Sequence, residues 1–198
     1  TASPGNDISK ILEVCKNLDI TNIEIRTKND PDVKPYVHDL KITWKEIPLP
    51  SDFAYTIQLL RKALSERLKT LKNLEFVESA SVSLINRTKL IDAQKRIQAD
   101  IKSRVKPPKI LFKAASTQSE AMKIHYALEL LQTQGINSLK NYFSRMGKEA
   151  VSKDSSKASR SIMSDNDILE AIAFAKSLKI EHPKVNEIAK IVKNQFEI

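Results

Sequence analysis

Apolar residues recur at helical spacing from Ser51 onward, and this periodicity limits the fold more than any other feature of the sequence. Phe53, Ile57, Leu60 and Leu64 begin a stripe that continues through Leu68 and Leu71. Residues spaced by three, four and seven positions share one face of an α-helix. The sequence therefore predicts a mainly α-helical protein whose helices pack through leucine and isoleucine faces.

Further helices are predicted downstream, separated by recognisable breaks. One runs from about Thr88 to Val105, and another opens at the capping box of Thr117 and Glu120 and ends at Gly135. The serine-rich stretch 151–161 is interpreted as a flexible connection, and two more helices follow it. A chain of 198 residues with this pattern is long enough to bury a core.

The first 50 residues follow a different pattern. A short helix capped by Asp7 precedes the alternating segment Ile23–Ile25, and a second alternating segment runs from about Leu40 to Ile47 and includes Trp44. Two short strands bury too little surface to be stable alone. We therefore predict a small N-terminal β element that forms the edge of a larger α/β domain.

Positive charge is concentrated in the middle of the chain. The net charge is +9, and residues 51–114 carry 14 basic against 6 acidic side chains, which leaves little excess elsewhere. Such a surplus favours a polyanionic partner, and phosphate contacts make binding dependent on salt. The predicted DNA-contacting residues are Arg61, Lys62, Lys69, Lys72, Arg87, Lys89, Lys95, Arg96, Lys102, Arg104, Lys106, Lys109 and Lys113.

Several classes of site are disfavoured by composition. Three glycines cannot form the loops that cradle a nucleotide's phosphates, so no ATP site is expected within this chain. One cysteine and three dispersed histidines give no metal-ligand spacing, and no catalytic residue is predicted. The lone thiol and the lack of an apolar leader or membrane span lead us to expect an intracellular, prokaryotic-type cytoplasmic protein.

Short motifs, in order along the chain, resemble one helicase family. Thr1, Ala2 and Ser3, followed by Pro4-Gly5, are similar to motif III of superfamily 2 helicases. The remaining matching segments are 29–37, Trp44, 47–50, 123–135, 156–160 and 182–184. Together they resemble the archaeal Hef family of helicase-associated endonucleases for fork-structured DNA, whose relatives include the Fanconi anaemia group M translocase.

The resemblance implies a domain organisation and a function. Residues 1–50 would be the C-terminal edge of the first RecA-like motor domain, 51–161 a helical, thumb-like insertion, and 162–198 helices leading to the second motor domain. The insertion would grip branched or duplex DNA beside the flanking RecA-like domains. The parent would be an ATP-dependent DNA helicase using ATP and Mg²⁺, whereas this portion lacks the ATP-binding motifs and would not itself be an enzyme.

Two other functions fit the same sequence. The helices could form a spacer or protein-interaction module between motor domains, with a positive face that is merely solvated. They could also resemble the RNA-sensing insertion of innate-immune RNA helicases, which a comparison of duplex RNA with forked DNA separates.

Overall fold

The structure is a computed structural model that describes Gly5 and residues 7–24, 26–38 and 40–196. The chain divides into two compact units, Thr1–Lys45 and Glu46–Ile198. The division into segments 1–50, 51–161 and 162–198 inferred from the resemblance stays a prediction.

The first unit contains one helix, α1 (Ile8–Asn17), and a 3₁₀ turn at Lys34–Tyr36. The Asp7 carboxylate accepts a hydrogen bond from the Ser9 amide at 2.9 Å and caps α1, as predicted. None of the described residues of this unit is buried, and the Trp44 side chain is 90% exposed.

The predicted β element is wrong for the described residues, none of which is in a strand; Ile25 lies outside them. A strand requires a partner for its backbone N–H and C=O groups. No described residue around Ile23 or at Leu40–Ile47 is in a strand, so the apolar pattern alone does not make these segments strands.

The second unit contains seven α-helices within the described residues, of which α2 to α7 pack into a bundle, whereas α8 buries none of its residues. Their bounds are α2 (Ser51–Asn73), α3 (Arg87–Ser103), α4 (Pro108–Gln134), α5 (Ile136–Ala150), α6 (Lys157–Met163), α7 (Asn166–Ser177) and α8 (Pro183–Phe196). The mainly helical fold predicted from the sequence is therefore confirmed.

Helix α4 lies at the centre of the bundle and packs against α2, α3, α5 and α6. The predicted leucine stripe of α2 is buried, including Leu60, Leu64 and Leu68, and it meets Ile124 and Leu131 of α4 in one core. This burial of apolar surface is the main force holding the bundle together.

The predicted start of the third long helix at Thr117 is wrong, because α4 begins nine residues earlier at Pro108. Proline fits the first position of a helix, where its missing N–H would have no partner. No proline or glycine lies between Pro108 and Gly135, so the helix continues through Thr117. Glu120 turns to Arg67 of α2 rather than closing a capping box with Thr117.

Gly135 ends α4 as predicted, with a backbone φ of +90°. A Cβ atom at this position would lie 2.9 Å from the Cβ of His182. His182 is buried and its Nε2 lies 3.0 Å from the Gln132 carbonyl oxygen. The segment before α8 is therefore fastened to the C-terminal end of α4.

The serine-rich stretch after α5 is more ordered than predicted. The Ser156 hydroxyl accepts a hydrogen bond from the Ser159 amide and caps α6, which begins at Lys157. Asp165, rather than a serine, caps α7. Among the described residues, no helix is both long and apolar enough to cross a membrane.

Candidate nucleic-acid interface

Twelve of the thirteen predicted DNA-contacting residues are exposed, and Lys106 is half-buried. Exposure alone does not distinguish a binding residue from a solvated one. The contacts of each side chain separate the set into groups with different surroundings.

Helix α2 carries one group on its outer face. Arg61, Lys69 and Lys72 are spaced by eight and three residues, which places them within about 80° of each other around the helix axis. Their side chains make no ion pair with the described residues, so their charge is available to a partner.

Lys62 lies on the same face of α2 as Lys69, seven residues earlier, but its charge is paired within the bundle. Its Nζ atom lies 2.8 Å from Oδ1 of Asp167 at the start of α7. The hydrogen bond to Asp167 and the charge of that carboxylate raise the pKa of Lys62. Lys62 therefore joins α2 to α7, and its charge is engaged within the bundle, unlike the charges of Arg61 and Lys69.

Two basic residues of α3 stabilise the loop between α2 and α3. Arg96 donates to the carbonyl oxygens of Glu75 at 2.9 Å and Phe76 at 3.4 Å. Lys89 donates to the carbonyl of Leu84 at 2.8 Å. Helical spacing places these two residues on the same flank of α3, and their positive charges face protein backbone.

The other flank of α3 carries Lys95 and Lys102, seven residues apart and opposite the buried Leu90 and Ile97. Lys95 lies 3.7 Å from the exposed Asp92, one turn earlier, a weak pair at a solvated surface. Lys102 makes no ion pair with any described residue.

The turn from α3 to α4 lies against the C-terminal end of α2. The Nζ atom of Lys106 is 3.1 Å from the Leu74 carbonyl oxygen, 3.1 Å from Oε2 of Glu75 and 4.8 Å from the centre of the Phe76 ring. Basic residues from three helices and this turn therefore share one end of the bundle. We call Lys69, Lys72, Lys102, Arg104, Lys106, Lys109 and Lys113 the basic end.

Acidic side chains are scarce at the basic end. No aspartate or glutamate occurs in residues 101–119, which contain five of its members. Glu75 neutralises Lys106, while Lys102, Arg104, Lys109 and Lys113 have no ion pair with the described residues. The result is a local excess of positive charge, which attracts polyanions.

Arg87 is apart from the basic end. It borders a cavity together with Met122, His125 and Glu129, which lie in the C-terminal half of α4. The thirteen predicted residues therefore do not form one continuous surface.

An internal charge cluster, which the sequence reasoning missed, centres on Arg67 of α2. Its guanidinium lies 3.1 Å from Glu120 of α4 and 2.6 Å from Asp165 at the start of α7, and all three side chains are almost buried. Burial alone would lower the pKa of Arg67, but the hydrogen bonds and charges of Asp165 and Glu120 outweigh it and raise the pKa. One signal was available, because position 67 falls on the apolar stripe of α2.

A second polar cluster joins α4, α5 and α6. Lys123 Nζ lies 2.6 Å from the Ser159 hydroxyl, which also donates to Glu149 at 2.8 Å. Serine beside lysine can form a nucleophilic pair. Ser159 is fully buried and bonded to the carboxylate, so its role is to fasten α6 to the bundle.

Neither cluster provides a metal site. Within the ranges that the structure describes, no three or more histidine, cysteine, aspartate or glutamate side chains are placed to hold an ion. The interface is thus built from cationic and apolar side chains.

Comparison with known proteins relates this bundle to helicases. Residues 55–182 match the family described as "Putative ATP-dependent RNA helicase, helical bundle". The crystal structure of the Pyrococcus furiosus Hef helicase domain is similar with a TM-score of 0.68 and 34% identity, covering 100% of this chain and 41% of that one.

Full-length relatives show the same relationship. The Methanocaldococcus jannaschii protein named "Putative ATP-dependent RNA helicase MJ1505" is 34% identical over 100% of this chain and 24% of its own length. The ATP-dependent DNA helicase MPH1 of Debaryomyces hansenii is 24% identical over 95% of this chain and 16% of its own length. The chain spans a quarter or less of these relatives.

The predicted resemblance to Hef is confirmed by these matches. Thr1, Ala2 and Ser3, the residues similar to motif III, lie outside the described residues. The chain belongs to the helical-bundle family of ATP-dependent helicases and is related to Hef and MPH1.

Proposed function

We propose that this chain is the DNA-binding insertion of an ATP-dependent, Hef-like DNA helicase and that it holds branched or fork-structured DNA through phosphate contacts. The observation that supports this most is the basic end, where cations from α2, α3 and α4 converge and, among the described residues, only Lys106 has an ion pair, with Glu75. A sugar–phosphate backbone supplies the missing negative charge.

The side chains of the basic end suit backbone contact rather than base reading. Lysines are flexible point charges that reach phosphates without a fixed geometry, whereas sequence reading uses bidentate arginine, asparagine or glutamine contacts in a groove. Lysines outnumber arginines six to one at this end. Binding that tolerates any sequence and weakens steeply with salt is the expected result.

The surrounding protein would supply the chemistry. Under this proposal, residues 51–161 form the insertion, the flanking RecA-like domains bind ATP and Mg²⁺, and the insertion maintains the geometry of the branch while the motor moves. The relatives' names, which include ATP-dependent helicases for RNA and for DNA, support the motor but leave the nucleic acid to be tested.

A direct test measures the affinity of this chain for labelled forked DNA, linear duplex DNA and duplex RNA over a range of salt concentrations. The double variant Lys102→Gln/Lys109→Gln removes two unpaired cations of the basic end. We expect weaker DNA binding and a logarithmic salt slope reduced by about 2, because each phosphate contact contributes about 0.9.

A matched control removes two cations from the opposite end of the bundle. Helix α7 starts beside Arg67 and runs toward the N-terminal end of α2, where Glu170 bonds Tyr55. Lys176 and Lys179 therefore lie away from the basic end. The variant Lys176→Gln/Lys179→Gln loses the same charge and should bind DNA as the unmodified chain does.

The rival function is a spacer or protein-interaction module between motor domains. Its support is that Lys62, Lys89, Arg96 and Lys106 are engaged by carboxylates or carbonyls of the bundle. A spacer predicts equal, weak effects of both double variants on DNA binding. Tighter binding of duplex RNA than of forked DNA would replace the proposed substrate with RNA.

A further inference from the structure

Exposed apolar side chains project from the middle of the basic end. At the turn from α3 to α4, the side chains of Val105 and Phe112 are 67% and 64% exposed. Large apolar side chains next to one another at a protein surface commonly mark a binding site. Here they lie within a sequence segment that is otherwise strongly cationic.

These side chains border a groove of about 600 Å³. Its lining consists of six apolar residues and two cations, namely Ile101, Val105, Pro107, Pro108, Leu111, Phe112, Arg104 and Lys106. The volume falls within the range of roughly 300–1,000 Å³ typical of small-ligand sites, so a planar nucleobase can enter it.

The groove is anchored to the rest of the bundle by several contacts. Lys106 is fastened to Leu74 and Glu75, Pro107 and Pro108 fix the backbone where α4 begins, and Leu111 is buried in the core. A preorganised apolar surface loses little conformational freedom when it binds a partner. The exposure of Phe112 is thus a feature of an ordered site.

The surrounding charge indicates the chemistry of the partner. Arg104 lines the groove, and Lys102 and Lys109 are adjacent in sequence to the lining residues Ile101 and Pro108. None of the three has an ion pair with a described residue, so an occupant that brings phosphates next to an apolar face is favoured. An unpaired base with its flanking phosphates has this combination, because every base presents a flat π-face and every nucleotide a charge.

We propose that the groove between Val105 and Phe112 receives a base exposed at the branch point of forked DNA. Phe112 contacts the face of the base, and Lys102, Arg104 and Lys109 hold the neighbouring phosphates. This proposal rests on the proposed DNA-binding function and adds the means by which a branch is distinguished from an intact duplex, whose bases remain stacked and out of reach.

The test uses forked DNA with 2-aminopurine, a fluorescent base analogue, at the first unpaired position, together with a linear duplex of the same length. Binding of the unmodified chain should quench the fluorescence by stacking. The Phe112→Ala variant should lose the quenching and reduce the ratio of fork to duplex affinity about tenfold, with duplex affinity unchanged.

Two comparisons make the test specific. Phe112→Leu retains an apolar contact without an aromatic face, so it should keep part of the fork preference but not the quenching. Leu169→Ala removes an exposed apolar side chain from α7 and should change neither quantity. Because Phe112 is mostly exposed, urea unfolding should show that its variants fold as stably as the unmodified chain.

The outcomes distinguish this inference from the function on which it rests. If the unmodified chain binds neither DNA, the proposed function fails. If it binds DNA but Phe112→Ala keeps the quenching and the fork preference, the groove does not receive a base and this inference alone fails. Binding to phosphatidylserine-containing vesicles that requires Phe112, with no effect of Phe112 on fork preference, would instead assign the groove to a membrane surface.

Discussion

The junction of α2, α4 and α7 and the basic end both contain cationic side chains, but in opposite surroundings. At the junction, Arg67 is almost buried between Glu120 and Asp165. At the basic end, Lys102 and Lys109 are exposed and have no ion pair with described residues. The difference teaches that a positive residue stabilises the fold where carboxylates surround it and is available for binding where they are scarce.

The largest expected effect tests the junction. Arg67→Ala leaves Glu120 and Asp165 without their shared partner, and breaking a buried ion pair in this way costs about 3–5 kcal/mol of stability. Urea unfolding measures the loss. Arg61→Ala, on the exposed face of the same helix, is the matched control and should stay within about 0.5 kcal/mol. Equal losses for the two variants would remove the distinction.

A smaller expected effect concerns DNA binding by two lysines of α2, one in the basic end and one paired within the bundle. Lys69→Gln should weaken DNA binding and reduce the logarithmic salt slope by about 1, since Lys69 belongs to the basic end. Lys62→Gln should leave binding unchanged, because Lys62 is paired with Asp167. Affinity measured at several salt concentrations decides between them, and a larger binding loss for Lys62→Gln would contradict the assignment.

The smallest effect concerns the partly exposed cluster at α6. Hydrogen bonds from Ser159, with the charge of Lys123, lower the pKa of Glu149. A carboxyl group with a lowered pKa in the folded state contributes stability above its ordinary pKa of about 4.5 and loses it as the pH falls further.

Solvent screens this cluster, so its contribution should be below about 1 kcal/mol. The measurement is the difference in unfolding free energy between the unmodified chain and Glu149→Gln, followed from pH 7 downward. We expect this difference to shrink as the pH falls below about 4.5. A difference that is constant with pH would show that the carboxylate charge adds nothing.

The helices that the sequence predicted correctly are those whose apolar faces are regular. The stripe of α2 and the face of α3 containing Leu90 and Ile97 are buried as their spacing indicated. The start of α4 was missed because the capping-box pattern of Thr117 and Glu120 indicated a later start, although Pro108 also suits the first position of a helix. The strand predictions were wrong because an alternation of apolar residues concerns side chains only. A strand also needs a neighbouring strand that pairs with its backbone N–H and C=O groups.

The excess of positive charge at the candidate site could be predicted from the sequence, but the contacts of the individual side chains could not. Helical spacing places Lys62 and Lys69 on the same face of α2. The ion pair of Lys62 with Asp167, however, depends on the packing of α7 against α2. Likewise, Arg96 faces carbonyl groups contributed by a loop twenty residues away. Ion pairs between distant segments depend on packing, which the order of residues does not specify.

Helix α4 also has a mechanical consequence. Its 27 residues form an unbroken rod about 40 Å long, with Pro108 at the basic end and Gln132 in contact with His182 just before α8. The helix therefore connects the basic end directly to the contact with His182 at its other end, with no intervening joint.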